Sequence, residues 1–346
     1  MPTLREVGEF EAIRRVLAAR PAAAGVVVGG GDDAAVLRMD PARELVVTTD
    51  AFVEDRHWRA GLIEPETIGA RLAAANLSDL AAMAARPRWA LVSAGLRPDH
   101  DLDALLALDA GLARALAAHG AATVGGNFAA VEGAEWLSLT LLGDCAAGRA
   151  WTRAGARAGD LIAVTGSPGR AAAGLSLLQR HGVPAGETWW SALAAAWLAP
   201  PARIEFARNA AETEAVAAAI DISDGFAADL ARLCEASRVG AEIAAAEWPQ
   251  DPLLDRAAAE IGAEPRALRF AASDDYELVL AVRSGLRGAL EATARALGVP
   301  LAFVGRFVAA EGVFEVGADG ARRPLPREGW DHFARSSRKT AVPPSR

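Results

Sequence analysis

Leu4, Val7, Phe10, Ile13 and Leu17 recur at intervals of three and four residues, so the chain is expected to open with one amphipathic helix. The apolar run 44–52 reads as a strand. Pro65 marks the first turn of an alanine-rich helix expected to reach about residue 85. The pattern then predicts a strand at 89–96, a helix at 101–119, and strands at 121–124 and 135–142. A polar, glycine-containing bridge at 149–160 leads to a strand at 161–165, a turn at 166–169 and another alanine-rich helix. A buried-type strand at 215–222 runs into a helix from Asp224, and strands follow at 277–282 and 301–308. The stretch from 334 has charge, serine and proline without periodicity and reads as a loose tail. The expected division is therefore a mixed α+β domain over 1–148, a second domain over 149–333, and a tail over 334–346.

Composition supports two packed domains. The 346 residues are 52% hydrophobic, too apolar for a mostly disordered chain. Acidic residues number 44 against 36 basic, a net charge of -8 that is spread along the chain. That disfavours nucleic acid, whose backbone calls for a clustered basic face. The only lysine is Lys339, and every other basic residue is arginine. A Walker phosphate loop, a protein-kinase strand lysine and Schiff-base chemistry are thereby excluded, since each needs an amine. A nucleotide bound here must be neutralised by arginine, backbone N–H groups or metal ions. Cys145 and Cys234 are too few for a disulfide framework or zinc site and fit a reducing compartment. The first twenty residues resemble neither a signal nor a transit peptide, and no apolar stretch reaches the roughly 18 residues of a membrane span. The expected location is the cytoplasm.

The aspartates are informative because of their position. Asp32 and Asp33 follow three glycines, and Asp50 closes Val46-Val47-Thr48-Thr49 at a strand end. Asn76 and Asp79 are three residues apart on an alanine-leucine helix and project from one face. Asp221, Ser223 and Asp224 sit where a strand gives way to a helix. Each alone has a structural explanation: a Gly-Asp turn for Asp33, a helix cap for Asp224, a solvated face for Asn76 with Asp79. Together, beside small residues that leave room for a ligand, these hard oxygen donors suit Mg²⁺ bound with phosphate oxygens. Gly125-Gly126-Asn127 after a strand could approach a phosphate closely or be a turn. Arg153 could clamp a phosphate or be a linker charge. Gly166-Ser167-Pro168-Gly169 could receive an anion at a helix N-terminus or only cap it, and His57 follows Asp50 by seven residues.

In order, Gly31-Asp32-Asp33-Ala34-Ala35-Val36-Leu37, Val47-Thr48-Thr49-Asp50 with His57, and Asn76-Leu77-Ser78-Asp79-Leu80-Ala81-Ala82-Met83 resemble the thiamine-monophosphate kinase family. Arg153-Ala154-Gly155-Ala156, Asp221-Ile222-Ser223-Asp224-Gly225, Asp275-Tyr276-Glu277-Leu278 and Gly329-Trp330-Asp331-His332-Phe333 continue the resemblance. That family lies within the aminoimidazole-ribonucleotide-synthetase-like superfamily. The resemblance implies the superfamily's two-domain fold, an N-terminal sheet paired across a homodimer into a barrel, and a C-terminal α/β domain. It implies ATP-dependent, Mg²⁺-assisted phosphorylation of thiamine monophosphate. By position it assigns metal binding to Asp32, Thr48, Thr49, Asp50, Asp79, Asn127, Asp221 and Asp224. It assigns nucleotide contact to Gly126, Asn127, Arg153 and Ser223, and substrate contact to His57, Asp274 and Trp330.

Several positions depart from the family pattern. Asn127 stands for a usual aspartate and Phe128 for a threonine, so one Mg²⁺ is expected to bind more weakly or be absent. Ser273-Asp274 replaces a usual Gly-Glu, shortening one carboxylate, and Asp55-Arg56 alters the loop before His57. Two alternatives accordingly stand beside the kinase: a paralogue using ATP on another phosphorylated or carboxylated small molecule, and a non-catalytic nucleotide-binding homodimer.

Overall fold

Gly8 interrupts the first expected helix. Its φ of 82° is a conformation glycine adopts without strain, so the segment forms α1 (Leu4–Val7), capped by Thr3, and α2 (Glu9–Ala18). The computed structural model describes residues 2–18, 24–29, 34–326 and 329–330. The expectations for Asp32, Asp33 and the 334–346 tail fall outside the described residues.

The antiparallel pair β1 (Val26–Val28) and β2 (Val36–Leu37) precedes β3 (Arg43–Val53), α3 (Pro65–Ala82), β4 (Arg86–Leu96), α4 (Leu102–Ala117), β5 (Ala122–Ala130) and β6 (Trp136–Ala146). The sheet order is β3-β6-β4-β5, with β5 parallel to β4 and the other pairs antiparallel. Period-two alternation divides β3 cleanly. Val46 and Phe52 pack toward the helical core, whereas Leu45 and Val47 on the other face are 48% and 54% exposed. Strand β5 runs past the expected end at 124, so Gly125-Gly126-Asn127 is strand rather than turn. Parallel pairing with β4 satisfies its backbone, and a Cβ on Gly126 would stand 2.2 Å from the Val92 carbonyl oxygen. Helices α3 and α4 meet through Gly69 and Gly111, where a Cβ would come 2.0 Å from the carbonyl oxygens of Leu108 and Glu66 respectively.

The second half contains β7 (Leu161–Thr165), α5 (Arg170–His181), α6 (Ser191–Leu198), α7 (Ile204–Glu212), β8 (Val216–Asp221), α8 (Phe226–Ser237) and β9 (Gly240–Ala244). It continues with α9 (Pro252–Ile261), α10 (Pro265–Arg269), β10 (Leu278–Val282), α11 (Arg287–Ala296), β11 (Leu301–Val308), β12 (Val313–Val316) and β13 (Arg322–Pro324). The sheet order is β13-β12-β9-β11-β7-β10-β8. Strands β7, β8 and β10 read as apolar runs because both faces are buried. Ile162, Val164, Ile220 and Val279 pack with α8, whereas Ala163, Ala219 and Leu280 join a core continuous with the first-half leucines Leu72, Leu77 and Leu80.

The turn at 166–169 resolves into a cap. Asp275 accepts hydrogen bonds from the N–H groups of Gly169 and Ala171 at 2.8 and 2.9 Å, and Ser273 Oγ accepts from Ala172 at 3.2 Å. The α5 N-terminus is thus satisfied by the chain's own side chains rather than left for an anion.

Candidate functional site

Three elements bring their polar groups to one seam between the two halves. β3 presents Thr48 and Asp50, α3 presents Ser78 and Asp79, and β8 ends on Asp221. Thr48 Oγ1 donates a short hydrogen bond to Asp79 Oδ2, and Ser78 Oγ donates to Asp221 Oδ2 at 2.9 Å. Burial, reinforced by the charge of Asp79, pushes the Asp50 carboxyl up to about 7. Burial also raises Asp79, against the opposing pull of the Thr48 hydroxyl and the Arg153 guanidinium. Asp221 lies well above the ordinary range through burial, then through the charges of Asp79 and Asp229. These carboxylates repel one another where water does not screen them. The arrangement favours an incoming cation.

The Asp221-Ile222-Ser223-Asp224-Gly225 turn owes its shape to Asp229. That buried carboxylate accepts from the N–H groups of Ser223, Asp224 and Gly225 at 3.1, 3.0 and 3.1 Å. Asp224 therefore does not cap α8; its Oδ2 pairs with Arg232 at 2.6 Å. The carbonyl oxygen of Asp224 accepts from the Trp330 N–H at 3.2 Å, and the Trp330 side of this turn is open, with that residue 48% exposed. Asp229 was not singled out by sequence pattern, although an acid in the first turn of a helix following a Gly turn is a recognisable signal.

His57 lies in the tight loop after β3. Its Nδ1 accepts from the Val53 N–H at 3.0 Å, which leaves the proton on Nε2, and its ring stacks on Phe52 with centroids 4.9 Å apart. Asp274 sits across the seam, where its Oδ2 accepts from Arg71 Nη2 at 2.5 Å. Asn76 is fully buried rather than solvated, and its Nδ2 donates to the Leu72 carbonyl oxygen at 3.0 Å. A cavity of about 290 Å³ lined by Glu242, Arg287, Phe303 and Arg306 shares no residue with these groups.

Residues 31–145 match the family described as AIR synthase related protein, N-terminal domain, and residues 157–317 match its C-terminal domain. The chain is 36% identical over 332 residues to the thiamine-monophosphate kinase of Escherichia coli, covering 94% of this chain and 98% of that protein. It is 33% identical to the Rhodopirellula baltica protein of the same name, covering 84% and 86%. The chain belongs to the thiamine-monophosphate kinase family. Among solved structures, the Stenotrophomonas maltophilia thiamine-monophosphate kinase superposes with a TM-score of 0.78 at 32% identity, covering 90% of this chain and 95% of that one. A structure described as AaThiL complexed with AMPPCP and TMP superposes with a TM-score of 0.75 at 29% identity, covering 96% and 99%. Hydrogenase maturation protein HypE of E. coli shares the fold at 21% identity and a TM-score of 0.74, covering 94% and 99%.

Not every position matched to the kinase family meets at the seam within one chain. Thr48, Asp50, Asp79 and Asp221 do, and Arg153 acts on Asp79. Thr49 lies on the opposite face of the sheet, accepting from the Thr140 hydroxyl at 3.1 Å. Asn127 is in register with Ser93 and Ser138, one step off the Asp50–Leu139–Val92–Gly126 row. Gly126 shares the row of Asp50 but stands three strands away, about 14 Å at the usual strand spacing. Among the described residues no group of three His, Cys, Asp or Glu side chains is arranged to hold a metal ion by itself. No helix of the described residues is long and apolar enough to cross a membrane.

Proposed function

We propose that this protein is a thiamine-monophosphate kinase, transferring the γ-phosphoryl group of ATP to thiamine monophosphate to give thiamine diphosphate and ADP. The observation that carries the reading is the convergence of Asp50, Asp79 and Asp221 at the seam. It occurs in a chain 36% identical to a named thiamine-monophosphate kinase over nearly its whole length. The acceptor is a phosphate monoester, largely an anion near neutral pH, so no strong base is required and no residue is assigned that role. What the site must supply is charge neutralisation and in-line positioning.

The desolvated carboxylates, short of positive charge, fit Mg²⁺. Asp50, Asp79, Asp221 and the Thr48 hydroxyl would be shared among several such ions, one or two carboxylates to each, with Asp32 and Asp224 as further donors and phosphate oxygens completing the shells. Mg²⁺ so held would neutralise the phosphate oxygens. Arg153, beside Asp79, faces the same anions, and the Ser223 turn, held rigid by Asp229, borders the nucleotide. His57, Asp274 and Trp330 line the acceptor side, where the exposed indole can stack on a thiazolium cation.

The reading includes a homodimer. Strands β3 and β5 are both sheet edges, and the outward face carries Leu45, Val47 and Leu91 at 48%, 54% and 40% exposure. Closing two copies edge to edge buries that face as a barrel interior and pairs off both edges. It also brings Gly126 and Asn127 of one copy beside the Asp50 strand of the other, which accounts for their separation within one chain. The boundary near residue 148 is supported by the two domain matches, and a cytoplasmic location by two buried free cysteines. Incubation of the purified protein with ATP, Mg²⁺ and thiamine monophosphate tests the reading. Thiamine diphosphate and ADP are expected; no turnover at saturating substrate refutes it.

A further inference from the structure

Arg71 is one of the charges on α3, and its side chain is only 2% exposed. Burying a guanidinium is costly unless it is paired and hydrogen-bonded. Here three contacts hold it, all from the other half of the chain. Nη1 donates to the Trp197 carbonyl oxygen, the guanidinium lies over the Trp197 ring at 3.8 Å, and Nη2 donates to Asp274 at 2.5 Å. Its Nε finds no acceptor among the described residues, so the two Nη groups and the indole carry its orientation.

The loop that carries Asp274 is anchored at alternate residues. Ser273 and Asp275 are tied to the α5 N-terminus, and Glu277 receives a two-pronged pair from Arg203 at 2.7 and 2.6 Å. Between them Tyr276 is held at a φ of +52°, its N–H bonded to the Ile222 carbonyl oxygen at 2.8 Å. Asp274 meets Arg71 of α3 across the seam, and the Tyr276 side chain is buried close to it. Burial first, and then the Asp274 charge, raise the Tyr276 hydroxyl well above its ordinary value, with Arg71 opposing and Asp50 and Asp221 adding to it. Tyr276 thus lies within electrostatic reach of both the Arg71–Asp274 pair and the acidic centre. The Asp274 side chain is 30% exposed, so part of it remains open while Arg71 holds one carboxylate oxygen.

We infer that Arg71 is the positioning residue for the acceptor end of the site: across the seam it holds the Asp274 carboxylate in place and aimed at the acceptor. The inference rests on the kinase reading and names a residue through which that reading selects its acceptor. Buried and with both Nη groups engaged by Trp197 and Asp274, Arg71 is expected to act on the acceptor through Asp274 rather than on the nucleotide directly. Its loss is therefore felt in acceptor binding and not in ATP binding. A lysine supplies the charge but not the planar fork, so it restores the function only in part.

The test is steady-state kinetics on wild type, Arg71→Met, Arg71→Lys, Asp274→Asn and the double variant Arg71→Met/Asp274→Asn, with both KM values measured. Arg71→Met is expected to raise KM for thiamine monophosphate about ten- to a hundredfold, the usual worth of a hydrogen bond to a charged group, while KM for ATP stays within about twofold. Arg71→Lys is expected to fall between, and the double variant to be no worse than the more damaged single one, because both remove the same interaction. If Arg71→Met does not fold, Arg71→Lys and the partly exposed Asp274→Asn carry the same KM comparison. Equal rises in both KM values, additive effects, or an unchanged acceptor KM overturn the inference and leave the kinase reading standing. A wild-type protein that turns over ATP with no acceptor dependence overturns the kinase reading, and the inference falls with it.

Discussion

Asp50→Asn separates the electrostatic cost of the site from its use. In the folded protein burial and then Asp79 move the Asp50 carboxyl from an ordinary 3.8 up to about 7. Below about pH 4 the group is protonated in the folded and unfolded chain alike and contributes nothing. As pH rises from about 4 to about 7 the unfolded chain loses this proton while the folded chain keeps it, so stability falls; above about 7 the loss is complete. A shift of about 3 units at about 1.4 kcal/mol each sets the loss at no more than about 4 kcal/mol. Asparagine keeps the shape and removes the charge. The variant in EDTA at pH 8 is therefore expected to be more stable than wild type, by up to about 4 kcal/mol, and the two should converge near pH 4. Adding Mg²⁺ should reverse the order, because the cation stabilises the ionised cluster of wild type and gains less from the variant. Chemical denaturation of both proteins across pH 4–8, with EDTA and then with Mg²⁺, measures each quantity. A variant less stable than wild type at pH 8 in EDTA, or one with the same Mg²⁺ increment, would refute the reasoning.

Other expectations follow from packing. Gly111→Ala places a methyl group 2.0 Å from the Glu66 carbonyl oxygen and should cost about 1–3 kcal/mol by overpacking, with a loss of activity as α3 and Asp79 shift; denaturation and turnover report both. Asp229→Ala leaves three loop N–H groups without their acceptor and should weaken ATP binding and lower stability by about 1–3 kcal/mol, read by calorimetry and urea titration. Val47→Arg and Leu91→Arg should leave each chain folded by circular dichroism while shifting its mass in solution from two copies to one and abolishing turnover. A dimer of unchanged mass would exclude the barrel interface.

Much of the fold was legible because its signals are local. The strands at 161–165 and 301–308 begin and end where the pattern puts them, since both are apolar runs bounded by turn residues. Pro65 starts α3 as expected, and Asp101 caps α4 through the N–H groups of Asp103 and Ala104. The exceptions have local or pairing causes. Gly8 breaks a helix that its apolar spacing would have continued, and β5 passes through two glycines that read as a turn because parallel pairing with β4 holds them extended. Strands β12 and β13 are four and three residues long, with all of β13 on the surface, too little pattern to be read before pairing.

For the site, the sequence by itself determined the donor chemistry. Aspartates beside Thr, Ser and Gly, in a chain with a single lysine, suit Mg²⁺ bound with phosphate oxygens, and any nucleotide bound here has to be neutralised by arginine, backbone N–H groups or metal ions. Only the tertiary structure decided which of them meet. Thr48 and Thr49 are adjacent in sequence, yet the pleat sends one toward Asp79 and the other to the far side of the sheet. Arg71 and Asp274 are 203 positions apart and nothing local links them. Their pairing, like that of Ser78 with Asp221, exists because α3 is buried against the second half of the chain. Burial is a property of that packing, and burial also sets the charge state of Asp50.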